Sequence, residues 1–170
     1  MACTITMTAP DTPASDTTAQ ARPAALSWRL LAMLYDAIPV AGLWFAVAAL
    51  GLLLRGGVPV TPNSPAAFVE FGAMLLASFG YLGLSWRRGG QTLGMRAWRV
   101  HLVNAHAGEA IPWSQLTVRF LVAIVSLLAA GLGFAWSLFD GERRTWHDLA
   151  SGTRLLRTPK VPRATRGSAR

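Results

Sequence analysis

A chain of 170 residues suits one domain, and with 52% apolar but only 14% charged residues it falls well below the roughly 25% charge of a soluble domain. The net charge of +8 would raise nucleic acid as a partner on a soluble fold. Here the basic residues flank hydrophobic blocks and form no aromatic-studded basic face, which argues against nucleic acid and for a membrane.

The first 25 residues are rich in Thr, Ala and Pro and hold the one cysteine, Cys3. They contain no apolar run of the secretion-signal kind, so residues 1–25 read as a disordered tail and the first hydrophobic block as an uncleaved insertion signal. A lone cysteine excludes an internal disulfide, and Cys3, with no apolar run before it, does not read as a processed lipid-anchor site. Three blocks then carry almost no charge, at 37–54, 71–86 and 120–139. A bilayer core of roughly 30 Å takes about 20 apolar residues as helix. With their flanks, the blocks predict spans at about 28–54, 67–86 and 117–139. The middle one needs residues 66–70 to reach sufficient length. Pro39 either kinks the first helix or marks where the spanning part starts.

Between the first two spans, "RGGVPVTPNSPA" has two glycines and three prolines and reads as a loop. "RRGGQTLGMR" follows the second span as a basic, glycine-broken turn. "WRVHLVN" alternates Val100 and Leu102 with Arg99 and His101, which predicts a short strand. "AHAGEA" suits a hairpin turn, and Pro112 opens the third helix. A second candidate strand, "GTRLLRT", follows that block, and residues 159–170 read as a basic disordered tail. The expected fold is an all-α membrane protein with three hydrophobic helices and a short β-hairpin-like extramembrane connection. Residues 26–158 make its membrane domain.

This layout contains a conflict. The connection from Arg87 to Arg119 carries five arginines and the segment after Phe139 eight basic residues, against one in the loop at 55–66. Three simple crossings would put the two basic segments on opposite sides, whereas positive charge gathers in the cytoplasm, and the two candidate strands could pair only if they share a side. Either the third block spans, or it is re-entrant and bends at "GLG", residues 131–133. A re-entrant segment must be covered by protein, because exposed backbone is costly in lipid. The sequence leaves both open.

Arg29 and Asp36 lie on one helical face about 10.5 Å apart. That is too far for a relaxed direct pair. An unpaired Asp at the bilayer centre costs about 2.5–3.5 kcal/mol on the insertion scale, so each charge calls for a partner. The plainer alternative starts the spanning helix near Asp36, with Asp36 at its N-terminus and Arg29 among phosphates.

"WRLLAMLYDAIPV", "GGQTLGMRAWRVHLV" and "RTWHDLASGTRLL" occur in this order around the three blocks. Together they resemble the RDD family of bacterial membrane proteins over roughly residues 25–157. The resemblance implies a multi-pass protein of the bacterial inner membrane and a signature trio of Arg29, Asp36 and Asp148. It implies a motif turn at Gly90, Gln91, Thr92 and Gly94. It implies no settled activity, although transport is suggested for the family. The residues before Ala25 and after Thr158 have no counterpart in the resemblance.

Two roles for the trio follow. In the first, Asp148 folds back to the membrane edge and pairs with Arg29 or caps a nearby helix, so that a charged cluster joins the ends of helices one and three. That gives a non-enzymatic structural or accessory component. In the second, Asp36 and Asp148 are protonatable or cation-binding carboxylates of a small transporter. Three helices offer few pore-lining faces, so transport calls for a homo-oligomer or a membrane protein partner.

The remaining motifs read as ordinary. His101, His106 and His147 lack ligand spacing, so no metal or cofactor is expected. "YD" with a later "GLG" has no aspartate directly after it and too few spans for an intramembrane aspartyl protease. "GGQTLG" lacks the lysine of a phosphate loop. Trp28, Trp86, Trp113 and Trp136 fall near block ends, as an interfacial belt does. Arg87, Arg88, Arg96 and Arg99 are expected to face anionic lipid headgroups, each contributing about 1 kcal/mol near the surface.

Overall fold

Helix α1, Leu26–Leu54, has only three buried residues: Arg29, Ala32 and Asp36. Their spacing places them on one face of its N-terminal third. Elsewhere it exposes Leu34, Ile38, Phe45 and Leu53. The computed structural model describes residues 21–105 and 110–158. Among them, 13 polar or charged residues are buried against 9 hydrophobic ones, an inversion that fits a chain whose outer solvent is lipid. At 29 residues α1 is about 43 Å long, more than a bilayer core needs. It starts at Leu26 and runs through Pro39.

Helix α2, Pro65–Gly89, starts where the Ser64 hydroxyl accepts the Ala67 amide, with Pro65 in the first turn, and stops at Gly90 in the left-handed conformation. Both devices are encoded locally. Trp44 donates to Ser78 at 2.8 Å, and Arg55 pairs with Glu70 at 2.9 Å near the loop between α1 and α2. Short helix α3, Leu93–Ala97, begins at Thr92, whose hydroxyl accepts the Met95 amide.

Helix α4, Trp113–Leu128, packs on α2 through Phe79, whose ring lies 5.9 Å from Trp113 and 5.3 Å from Phe120. Its chain breaks after Leu128, where Ala130 and Gly131 take φ of 54° and 78°. Helix α5, Leu132–Ala135, and a 3₁₀ turn, Trp136–Leu138, follow. They lie at 107° to α4. Among the described residues there are therefore two helices long and apolar enough to cross a membrane, or three spans if the bent pair counts as one. Helix α6, Trp146–Ser151, packs back against α4.

The two candidate strands pair with each other, within a three-stranded sheet rather than a local hairpin. Strand β2, Val100–Asn104, pairs antiparallel with β3, Thr153–Arg157, with Leu102 opposite Leu155. The other edge of β3 takes β1, Arg22–Pro23. Residues 22–24 of the expected N-terminal tail thus belong to the fold, and Ala24 is fully buried. Of the expected hairpin turn, residues 106–109 lie outside the described residues, as do most of the N-terminal tail and all of the C-terminal one. One sheet joins the strand before α1, the strand after α2 and the strand after the bent block. The start of α1, the end of α2 and both ends of the third hydrophobic block therefore gather at one end of the molecule. The α1–α2 loop lies at the other.

Gly133 seats α5 on α4: a Cβ there would lie 2.3 Å from the Ser126 hydroxyl oxygen and 3.0 Å from the Trp146 ring. Gly133→Ala should therefore lower stability by about 1–3 kcal/mol through overpacking. Gly72→Ala, in α2 with nothing within 4 Å, should be neutral or raise stability by up to about 1 kcal/mol through helix propensity. Melting both variants in the same detergent distinguishes them. Equal effects would mean that α5 does not rest on Ser126.

Candidate functional site

Thr145 and Asp148 form a capping box at the start of α6: the Thr145 hydroxyl accepts the Asp148 amide, and the Asp148 carboxylate accepts the Thr145 amide at 3.2 Å. A threonine three residues before an acid is a local sequence signal. Here it fixes the carboxylate between two cations. Oδ2 accepts from Nη1 of Arg29 on α1, and Oδ1 accepts from Nη1 of Arg119 on α4. Asp148 is 1% exposed, and both arginines are 4% exposed. Arg29 also donates from Nε to the Ala24 carbonyl at 3.0 Å and from Nη2 to the Arg143 carbonyl at 2.9 Å. Arg119 Nη1 donates in addition to the Thr153 hydroxyl at 2.8 Å.

The electrostatics follow from that geometry. Burial alone would raise the Asp148 carboxyl, but Arg119 and Arg29 outweigh it and hold the group well below the usual carboxylate range. Beside it, burial and then the Arg119 charge push His147 down to about 3, against the pull of Asp148. His147 is thus neutral at ordinary pH. Two guanidiniums face one carboxylate, and the clamp carries a net +1.

Asp36 is not part of this clamp. It sits two turns further along α1, where Oδ1 accepts the Tyr81 hydroxyl at 3.0 Å and the Gly94 amide at 2.9 Å. Its Oδ2 accepts the Thr92 hydroxyl. All three partners are uncharged dipoles. A Cβ on Gly94 would fall 2.1 Å from the Ala32 carbonyl and 2.9 Å from the Asp36 carboxylate, so α3 can approach α1 only with glycine there. Gln91 donates to the Val100 carbonyl at 2.8 Å, and the Leu102 amide donates to Gly90 at 2.7 Å. The expected motif turn is thus a joint that binds α1, α2 and β2.

Sequence reasoning brought Arg29 to Asp148, separated neither from Asp36, and missed Arg119. Its signal was present, since an arginine lies inside the predicted span at 117–139. It was counted among the flanking basic residues instead. Arg87, Arg88, Arg96 and Arg99 are all exposed, and Arg87 stacks 5.4 Å from the Trp113 ring. Among the described residues no three His, Cys, Asp or Glu side chains converge as metal ligands. His101 sits on β2 near Gln91, far in sequence from His147 in the clamp, and His106 lies outside the described residues.

A cavity of about 370 Å³ opens between α1, α2 and α4. Arg29, Arg119 and His147 line its clamp end, and Asp36 lies on the α1 wall with Thr92 beside it. Val40, Ala123, Ile124 and Leu127 make its deeper part apolar.

The family model described as the RDD family matches residues 23–152, well over half of the chain and a stretch that contains the clamp, the Asp36 joint and most of the cavity wall. No curated protein and no solved structure matches the chain.

Unfolded, His147 takes up a proton near its ordinary value of 6.5; folded, it stays neutral until about 3. Unfolding between those pH values therefore binds a proton, and stability falls as pH drops. The expected slope is about 1.4 kcal/mol per pH unit over that window. Asp148, whose carboxyl is held low, adds a further loss below about pH 4. Unfolding measured from pH 7 to 4 should show the slope, and His147→Gln should flatten it. An unchanged slope in that variant would remove His147 as the cause.

Proposed function

This chain belongs to the RDD family of membrane proteins, and on that premise we propose that it is a non-enzymatic structural or accessory component of the bacterial cytoplasmic membrane. The observation that carries this reading is the commitment of Asp148. One carboxylate oxygen is taken by Arg29 and the other by Arg119, and the remaining contact goes to its own helix cap. A carboxylate so occupied has little left for an ion or a substrate. What it does is join α1, α4 and α6. In lipid, apolar side chains gain nothing hydrophobic by leaving the bilayer for a neighbouring helix, so polar contacts and close packing hold helices together.

The orientation follows from the sheet and the charges. Two crossings, by α1 and α2, return the chain to the side it left. The bent third block enters the membrane and comes back to the same side, which lets β2 and β3 pair. Arg87, Arg88, Arg96, Arg99, Arg143, Arg144, Arg154 and Arg157 then share that side, with Arg55 opposite. Positive charge puts it in the cytoplasm. The same arrangement sets Arg87, Arg88, Arg96 and Arg99 beside anionic headgroups.

One observation favours a second reading for part of the site. Asp36 lines the cavity and is held by neutral partners. If the protein moves an ion or solute, Asp36 is the carboxylate that serves it, and Asp148 is not.

Asp148→Asn should leave two buried guanidiniums short of a counter-charge and cost about 3–5 kcal/mol, seen as a large fall in folded, membrane-inserted protein. Asp36→Asn should insert at near-normal amounts, and a loss of flux in proteoliposomes would then assign transport to it. Full abundance and unchanged melting of the Asp148 variant would end the structural reading. Single cysteines placed at 22, 57, 96 and 154, labelled in intact and permeabilised cells, test the orientation. Only position 57 should react from outside.

A further inference from the structure

We propose that the cavity between α1, α2 and α4 binds an anionic amphiphile with one apolar chain, its carboxylate or phosphate resting on Arg119. This goes beyond the clamp reading, since it assigns the clamp's unspent donors rather than its closed contacts.

The argument begins with an arginine that is buried but only partly used. Arg119 is 4% exposed and lines the cavity. Nη1 donates to Asp148 and Thr153. A guanidinium has five N–H donors, and among the described residues those on Nε and Nη2 have no hydrogen-bond partner. Its face lies 5.4 Å from the Trp86 ring, which orients the fork and supplies no acceptor. Neither nitrogen is fully enclosed, so both can take an acceptor that enters the cavity. An anion with two oxygens fills such a fork in a way that a single hydroxyl does not.

A second unfilled donor lies at the same end. His147 lines the cavity, and its Nδ1 is buried with no hydrogen-bond partner. Its Nε2 is 2.8 Å from the Thr145 hydroxyl oxygen. That oxygen already accepts the Asp148 amide and, at 3.5 Å, Arg29. The Thr145 proton therefore goes to Nε2, and the neutral ring carries its own proton on Nδ1.

Charge sets the direction of the ligand. The sheet-side end carries the clamp's net +1. Asp36, about 10.5 Å along α1 from Arg29, has its carboxylate held by Tyr81, Thr92 and Gly94 and repels an anion from that part of the wall. The headgroup thus belongs at Arg119, and the chain lies deeper, among Val40, Ala123, Ile124 and Leu127. Met33, Ala37 and Leu127 line the cavity and are also exposed, so its mouth opens on the surface that lipid covers. Helix α2 packs on both α1 and α4 and closes the back. A volume of about 370 Å³ is at the small end of the roughly 300–1,000 Å³ of ligand pockets, which suits one chain.

The test uses the full chain in a neutral detergent and a fluorescent C18 polyene carboxylate, read by energy transfer from tryptophan. Palmitate, lysophosphatidylglycerol and hexadecanol compete for it. Saturable binding is expected, with hexadecanol at least tenfold weaker than the better of the two anions. A stronger palmitate names a free fatty acid as the source, and a stronger lysophosphatidylglycerol names a phospholipid. Ala123→Phe fills the cavity and leaves Asp148, Arg29 and Arg119 in place, so binding should fall at least tenfold with the melting temperature kept. Should that variant melt early, Val40→Phe on the opposite wall takes its place. Equal competition by hexadecanol, or undiminished binding by the filled cavity, overturns the proposal. Neither result touches the clamp, which stands or falls with Asp148→Asn.

Discussion

One carboxylate shared by two buried guanidiniums organises this molecule. Arg29 comes from the first turn of α1, Arg119 from two turns inside α4, and Asp148 from a capping box more than a hundred residues beyond Arg29. In a soluble protein such a cluster would add little, because the cost of stripping water from the charges nearly cancels their attraction. In a bilayer the balance of alternatives differs. Apolar side chains are equally at ease against lipid and against each other, so they do not tell α4 where to sit. A guanidinium without its carboxylate has nowhere comparable to go. The clamp therefore selects the arrangement, and the weaker apolar contacts follow.

The second aspartate shows a different use of the same residue type. Asp36 meets only dipoles, and two of them come from the "GQTLG" turn. That turn looks like a flexible loop in sequence. In the structure Thr92 both caps α3 and donates to Asp36, while Gly94 lets the α3 backbone come against Ala32. A short motif therefore does three jobs at one place: it ends α2, seats α3 on α1 and supplies two hydrogen-bond donors to the Asp36 carboxylate. The two aspartates have separate partners and separate electrostatic surroundings, and a mechanism that treats them as an interchangeable pair has no support in this geometry.

Between the clamp and Asp36 lies the cavity, with polar groups near the sheet and apolar walls deeper in. This gradient parallels the bilayer's own, from headgroup to acyl chain. It arises because α2 touches both of its neighbours while α1 and α4 leave a space between them. Arg119 bounds that space at one end, with Nη1 engaged by Asp148 and Thr153.

How much of this was legible in advance depends on the range of the interaction. Chain composition and the three charge-poor blocks determined the membrane setting, because burial in lipid needs only a run of apolar residues. Local chemistry likewise determined the Ser64 and Thr145 caps and the strand alternation of Val100 and Leu102. The partner of β2 was different. The sequence offered a hairpin turn after β2 and also a pairing of the two candidate strands if they share a side; the chain takes the second, with β3 some fifty residues later, because the third block bends at Ala130–Gly131 and returns. The choice of clamp residues was also beyond local reading. Arg119 looked like one more flanking charge, and Asp36 looked like a member of the cluster, since periodicity reports which face a residue shares but not which helix meets that face. Only the tertiary structure decided those pairings, because each joins groups far apart in sequence whose energies depend on a common buried position.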